Sequence, residues 1–283
     1  MADYTIEIDR EFGFLRVSPP PPLPRSRSGS AAFDVPPSHI LDHLEAATGH
    51  LAGKTVLDLG CRDGGFLAAC RDRDMDGTGW EDVPDWASAA TARGLTVLGD
   101  DLSTVLGGGT GRRHDVVSLF NLLPFVEDPS RVLHAVRQTL LADGGTLVVG
   151  VPNTFTPLQL AARAEIAAGE WWVDATAVRN CFTSQSLTDL LEGCAFAVDD
   201  LFGDLPREVF LLGGAAADAP LEDALARKRR FSEASRRHDA GPALRQLEAA
   251  LGRLGLGENL VAIARPDAFS KPCRATVLKK MGE

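Results

Sequence analysis

The stretch that decides the fold is Thr55-Val56-Leu57-Asp58-Leu59-Gly60-Cys61-Arg62-Asp63-Gly64-Gly65-Phe66-Leu67. Val56, Leu57 and Leu59 make a short apolar run, as a central parallel strand covered on both faces requires. Gly60 and Gly64 predict a turn in which the backbone takes positive φ and a ligand can come close. Phe66, Leu67 and Ala68 then resume at helical spacing. A strand feeding a helix through such a turn is expected to present backbone N–H groups and a positive dipole end to whatever lies above it.

Asp58 separates two readings of that ligand. The dinucleotide fingerprint G-x-G-x-x-G would use Gly60 and Gly65, with Arg62 in place of its second glycine. A carboxylate at the strand end would repel the pyrophosphate. The alternative is an acidic residue, an apolar residue and G-x-G-x-G, matched by Asp58, Leu59, Gly60 and Gly64, with Arg62 again in the middle. A buried carboxylate needs a partner, and a ligand ammonium supplies one. A plain strand-turn with Asp58 capping the next helix is the bland alternative.

Composition sets the outer limits. A chain of 283 residues, 45% hydrophobic, can hold one large α/β domain and an accessory piece. The net charge of −10 argues against wholesale binding to nucleic acid or anionic membrane. Cys61, Cys70, Cys181, Cys194 and Cys273 are scattered and odd in number, without a C-x-x-C pair. That predicts reduced thiols in a cytoplasm, with no zinc site and no disulfide frame. No apolar run reaches ~18 residues, so no membrane span is expected. Asp3, Glu7, Asp9, Arg10 and Glu11 precede any long apolar segment and speak against a signal peptide.

Outward from the turn, residues 1–16 predict one strand, with Tyr4, Ile6 and Ile8 alternating. Pro19 to Pro24 is nearly all proline and should be stiff and extended. Residues 1–35 are therefore an N-terminal extension or flap, and residues 36–283 the main domain. Pro36 and Pro37 open a helix closed by Gly49. Residues 75–81 predict the second strand of the domain, ending in Glu81-Asp82. An acid about 20 positions beyond the glycine turn can accept both hydroxyls of a ribose. Glu81 is the first choice and Asp82 the fallback. Residues 95–98 predict the third strand, followed by Gly99-Asp100-Asp101-Leu102. There a carboxylate, by spacing Asp100, could accept an adenine amino group, and the following N–H could donate to the ring. HDVVSLFN, residues 114–121, is the fourth strand. Asp128 caps a helix, and residues 146–151 are the fifth strand.

The ordered series VLDLGCRDGG, GWED, GDDL, HDVVSLFNLLPFVEDP, LLADGGTLVVGVPN and FTSQSLTDLLEGCAFAV resembles class I S-adenosylmethionine-dependent methyltransferases, most closely those acting on small molecules. The resemblance covers roughly residues 56–203, with a weaker match at 259–266. It implies a doubly wound, Rossmann-like seven-stranded sheet with the last strand antiparallel. It implies S-adenosylmethionine as cofactor, held by Asp58, Gly60, Cys61, Arg62, Gly64, Glu81, Asp82, Asp100, Asp101, Leu102 and Asn121. Departures are Arg62 for a glycine, Ala195 for the glycine common before Phe196, and Pro124-Phe125 where relatives often carry Glu-His. The last leaves no histidine assigned as general base.

Two regions lie outside that core. Residues 154–180 carry Glu170-Trp171-Trp172, and in the family this connection covers the acceptor. Phe125, Glu170, Trp171 and Trp172 are the expected acceptor contacts, with a structural anchor as the alternative for the tryptophans. Residues 204–258 form an insertion with two predicted helices, 221–238 and 242–254, which could cap the site or make a homodimer face. Its basic run Arg227-Lys228-Arg229-Arg230 reads as a solvated face balanced by Glu222, Asp223 and Glu233. The histidines read as structural; His39 and His43 have H-x-x-x-H spacing but no acidic partner nearby in sequence, so no metal is expected.

The function expected is methyl transfer to a small-molecule acceptor, O- or N-linked. The alternatives are a catalytically silent cofactor-binding scaffold, an RNA methyltransferase and an NAD-dependent oxidoreductase.

Overall fold

The computed structural model describes residues 4–21, 33–99, 101–166, 170–211, 220–237 and 240–267. Along them run β1 (Thr5–Ile8), β2 (Leu15–Ser18), α1 (Pro37–Thr48), β3 (Thr55–Leu59), α2 (Gly65–Arg71), β4 (Asp76–Trp80), α3 (Pro84–Ala92), β5 (Thr96–Leu98), α4 (Leu102–Thr104) and β6 (His114–Phe120). Then come α5 (Pro129–Ala135), β7 (Leu141–Pro152), α6 (Pro157–Ile166), β8 (Asn180–Cys181), α7 (Ser184–Gly193), β9 (Phe196–Gly203), α8 (Glu208–Leu211), α9 (Pro220–Arg237), α10 (Gly241–Arg253) and β10 (Asn259–Pro266). No helix of the described residues is long and apolar enough to cross a membrane.

Seven strands form one sheet in the order β5-β4-β3-β6-β7-β10-β9. The pairs β3·β4, β3·β6, β4·β5 and β6·β7 are parallel. β10 is antiparallel to both β7 and β9, so the last strand is reversed, as the family resemblance implies. Alternation along each strand sorts side chains into two cores. Leu57, Leu59, Val117, Leu119, Leu147, Val149, Leu260 and Ala262 face α5 and α7. Val56, Val116, Phe120, Val148, Val261 and Ile263 face α1 and α2. Burial on both faces explains why the central strands read as continuous apolar runs.

The glycines of β4 make room for the turn. A Cβ on Gly79 would lie 2.5 Å from Cys61 Sγ and 3.0 Å from Leu67 Cδ1. The strand gives up β propensity there so that the turn and α2 can press on it.

Three expectations change. Residues 1–16 hold two strands, not one. The Asp9 carboxylate accepts the N–H groups of Glu11 and Phe12, and Gly13, at φ 70, completes the reversal. β2 then pairs with β8, so β1, β2 and β8 form a separate three-stranded sheet. The fifth strand of the main sheet starts earlier than residue 146. Leu141 already pairs with His114, and Asp143-Gly144-Gly145 is taken up as a register irregularity. The basic run is not wholly a solvated face. Arg227 does pair with Asp223 four residues earlier, at 2.7 Å, but Lys228 turns inward and is 4% exposed. In the insertion, α10 packs on β9, while α9 packs chiefly on α8.

Candidate active site

β3 and β6 lie in register, with Asp58 opposite Ser118. Both side chains face the α1/α2 side of the sheet, and the Ser118 hydroxyl donates to Asp58 Oδ1 at 2.8 Å. This serine, in an otherwise apolar strand, is a site residue the sequence reading missed. Its polar interruption opposite Asp58 was the available signal. The pair is fully buried, so the hydroxyl fixes the carboxylate in one orientation at the strand end.

The turn behaves differently from the expectation that it offers free N–H groups. Gly60 and Cys61 both donate to the Trp80 carbonyl, at 2.8 and 3.0 Å, and Gly64 donates to the Cys61 carbonyl at 2.9 Å. Arg62 N–H donates to Glu81 Oε2 at 2.8 Å, and Gly65 N–H to Asp63 Oδ1 at 3.3 Å. The donors are spent because the turn folds back onto the end of β4. Arg62, at φ 53, holds the left-handed conformation that the missing glycine would adopt without strain. Its guanidinium lies over the Trp86 ring, 5.0 Å from the centroid.

Glu81 is 4% exposed and bridges two backbones, with Oε1 accepting the Val83 N–H at 3.0 Å. It locks the turn to the start of α3. Each oxygen has a second lone pair direction, so this bridging is compatible with a ligand diol.

The predicted residues fall around two clefts at the carboxyl ends of the parallel strands, where ligands of open α/β sheets sit. Asp58, Gly60, Cys61 and Arg62 line a cleft of about 610 Å³, with Phe33, Phe66 and Phe120 as its apolar wall. Phe120 stacks on Phe33 at 5.5 Å and meets Phe66 edge-on at 4.7 Å. Asp82, Asp101, Leu102 and Phe125 line a second cleft of about 1080 Å³ with Trp80 and Leu122. Glu81 and Gly64 stand behind these surfaces, in the turn structure itself. Asp100 lies outside the described residues.

The remaining expected residues, Asn121 from the cofactor set and Glu170, Trp171 and Trp172 from the acceptor set, gather elsewhere. Asn121, at φ 53 on the tip of β6, shares a space of only about 10 Å³ with Trp172 and Asn180. Its buried Oδ1 has no hydrogen-bond partner among the described residues, and neither has Trp172 Nε1. Trp171 and Trp172 meet edge-on at 4.7 Å, and Phe155 meets Trp172 at 5.9 Å. Glu170 accepts from the Tyr4 hydroxyl at 2.9 Å and pairs with Arg163 at 2.8 Å.

The cleft of about 610 Å³ also collects residues from the insertion that sequence reasoning missed. Lys228 donates to Asp204 Oδ2 at 2.6 Å and Glu258 Oε2 at 2.5 Å. Burial pushes the Asp204 carboxyl up. Burial also opposes charge on Glu258, but Lys228 and Arg207 outweigh it and hold that carboxyl low. Lys228 follows buried Ala224 by one helical turn, which was the signal for an inward position. On α1, His39 Nδ1 lies 2.7 Å from Glu248 Oε1, and His43 bridges Asp200 at 2.8 Å and Glu248 at 3.3 Å. The acidic partner absent from the neighbouring sequence is thus supplied from α10.

The residues suit a donor molecule with an ammonium end and an adenosine end. A fixed carboxylate and aromatic walls line one cleft, and two acids line the other.

A profile described as a methyltransferase domain matches residues 37–201, more than half of the chain. No curated protein matches the sequence. Among solved structures, the chain is similar to one from the complex between the Haloferax volcanii Trm112 methyltransferase activator and a proposed methyltransferase. Identity is 18% and the TM-score 0.51, covering 81% of this chain and 89% of that one. It is similar also to a proposed sarcosine dimethylglycine methyltransferase from Galdieria sulphuraria, at 12% identity and TM-score 0.50, covering 82% and 85%. These likenesses agree with the fold, and the domain match over residues 37–201, from α1 into β9, assigns the lineage: this chain belongs to the methyltransferase-domain family, as a class I S-adenosylmethionine-dependent methyltransferase.

Proposed function

We propose that the chain methylates a small-molecule acceptor in the cleft of about 610 Å³. The observation that carries this reading is that one cleft joins the glycine turn and Asp58 to residues of α1, α9 and α10. Its volume is in the range of small-molecule sites, roughly 300–1,000 Å³, which favours a metabolite over a polymer. In this reading the donor's methionine end lies by Asp58, Gly60, Cys61 and Arg62. Its adenosine end lies by Asp82, Asp101 and Leu102, with Glu81 between them and Asn121 near the transferred group.

S-adenosylmethionine, when bound, supplies a methyl group on a sulfonium sulfur. The chain's residues position and exclude. Asp58, held by Ser118, takes the ammonium. Glu81 keeps the turn closed on β4. Phe33, Phe66 and Phe120 keep water from the reacting centre, where alignment of nucleophile and methyl can contribute ~7–11 kcal/mol. Phe125 edges the adenosine-side cleft, and Glu170, Trp171 and Trp172 support Asn121 from behind. Residues 1–35 contribute at both ends, through Arg16 to one cleft and Phe33 to the other.

The test is a mass-shift screen with isotopically labelled methyl donor against metabolites bearing amines, hydroxyls and carboxylates. One acceptor should gain the labelled methyl. Labelling of RNA alone, with a steep salt dependence, would replace this reading.

A further inference from the structure

The sequence leaves the methyl transfer without a base, because Pro124-Phe125 stands where a histidine would. The structure brings another histidine to the cleft from the opposite direction. His39 sits on α1, on the wall of the cleft that holds Asp58 and Gly60. Its Nδ1 is 2.7 Å from Glu248 Oε1. Burial disfavours charge on Glu248, but its hydrogen bonds to His39 and His43 outweigh burial and keep its carboxyl below the ordinary range. An ionised carboxylate only accepts, so His39 Nδ1 carries the proton in that bond. In its unprotonated form the ring then has its lone pair on Nε2, which makes no hydrogen bond to a described residue. A ring oriented through Nδ1, a carboxylate behind it and a second nitrogen without a hydrogen bond to a described residue, on a side chain that lines the cleft, are the parts of a general base.

The charge of the same cleft indicates what the base would act on. Six carboxylates line it, those of Asp34, Asp58, Asp63, Asp204, Glu233 and Glu248, against the basic side chains of Arg62, Lys228 and Arg229. Asp34 pairs with Arg229, Asp63 with Arg93 and Asp204 with Lys228, and the excess of carboxylates that remains favours a cation over an anion.

We propose that His39, oriented by Glu248, is the general base of the methyl transfer, and that its acceptor is an amine entering as an ammonium ion. This rests on the donor reading above. The ammonium gives its proton to His39 Nε2, and the imidazolium formed is stabilised by Glu248. The freed nitrogen lone pair forms the bond to the methyl carbon. The carbon–sulfur bond breaks with its electron pair on sulfur, leaving a neutral thioether. A secondary or primary amine returns to the neutral state by losing one more proton to solvent.

Groups facing His39 include Glu248 from α10 and, across the cleft, Asp58, Asp204, Lys228 and Glu233. His43 on the same helix and Asp200 on β9 act through Glu248. Nitrogen NMR of histidine-labelled protein, with His39 assigned by loss of its signals in His39→Gln, reads the ring directly. In the unprotonated ring, Nε2 should be pyridine-type and Nδ1 pyrrole-type. Adding S-adenosylhomocysteine should shift the Nε2 signal. A pyrrole-type Nε2, or a ring indifferent to bound S-adenosylhomocysteine, would overturn the proposal.

The second readout uses labelled methyl transfer into a panel of primary and secondary amines, phenols and carboxylic acids. For an amine methylated by the natural chain, His39→Gln should lower kcat by roughly 100-fold or more. S-adenosylhomocysteine affinity should stay unchanged. Glu248→Gln should move the acid limb of the rate profile, where the base gives up its own proton, to lower pH. An unchanged kcat in His39→Gln, or labelling of carboxylic acids alone, contradicts it. Failure of the natural chain to bind S-adenosylhomocysteine would instead remove the donor reading, while the NMR still reports the state of the ring.

Discussion

The glycine turn after β3 and the helical insertion before β10 meet in one cleft, yet they are held by opposite means. The turn is tied locally: its N–H groups go to Trp80 and Glu81, at the end of the neighbouring strand. The insertion is tied through buried charges far apart in sequence. Lys228 sits between Asp204 and Glu258, and Glu248 reaches His39 across 209 positions. The turn is closed by backbone N–H groups that donate to the Trp80 carbonyl and to the Glu81 and Asp63 carboxylates. The insertion is only as stable as its charge pairs are complete, because removing one partner leaves an uncompensated buried charge.

The largest expected effect follows from that difference. Lys228→Ala should cost about 3–5 kcal/mol of stability in urea unfolding. Arg227→Ala, which breaks a partly exposed pair with Asp223, should cost less than about 1 kcal/mol. Equal effects would mean that Lys228 is no more buried than its neighbours and that the charge network is not what holds α9.

Next comes the tryptophan pair. Trp172 is 4% exposed and packs on Trp171 and Phe155. Trp172→Ala should cost about 3–5 kcal/mol, and Trp171→Ala less, by thermal denaturation. Full stability in Trp172→Ala together with a raised acceptor KM would move the acceptor site to that pair.

Glu81→Gln probes the turn itself. The two carboxylate oxygens accept the Arg62 and Val83 N–H groups, and an amide would face one of these donors with its own NH2. A lost charge-assisted hydrogen bond of about 1.5–3 kcal/mol should weaken S-adenosylhomocysteine binding roughly 10- to 150-fold. The same loss in Asp82→Asn, with Glu81→Gln unaffected, would shift the ribose contact by one residue.

The smallest effect is in the pH dependence. Burial alone would lower His43, but its bonds to Asp200 and Glu248 outweigh that, and its folded pKa lies above the ordinary 6.5. Its contribution is therefore complete below pH 6.5 and fades as pH rises through the raised value. His114 runs the other way. Burial depresses it to about 4, so its contribution is complete above 6.5 and is lost as pH falls toward 4. Urea midpoints measured across this range should decline on both sides. In His43→Gln the alkaline decline should shrink, and its persistence would assign that decline to other groups.

These contrasts explain what the sequence could show. Strand order was legible because β3, β6 and β7 are apolar runs bounded by turn residues, and the reversed last strand came with the family resemblance. Glu81 and the turn were legible because their partners lie within the motif, whereas Ser118, the partner of Asp58, stands 60 positions on and was not read. The N-terminal hairpin was not, because Asp9 makes its turn through a side chain rather than through a glycine pair. Lys228 was hidden in a basic run whose neighbours do face outward. His39 was hidden because its carboxylate partner, on α10, becomes its neighbour only when the insertion packs on β9.

The central claim is that Asp58 and the turn hold the methyl donor. Isothermal titration of the natural chain with S-adenosylmethionine and S-adenosylhomocysteine tests it most directly. The account predicts one ligand bound per chain, with affinity reduced roughly 10-fold or more in Asp58→Asn and unchanged in His39→Gln. No binding at millimolar ligand, or full affinity in Asp58→Asn, would contradict it.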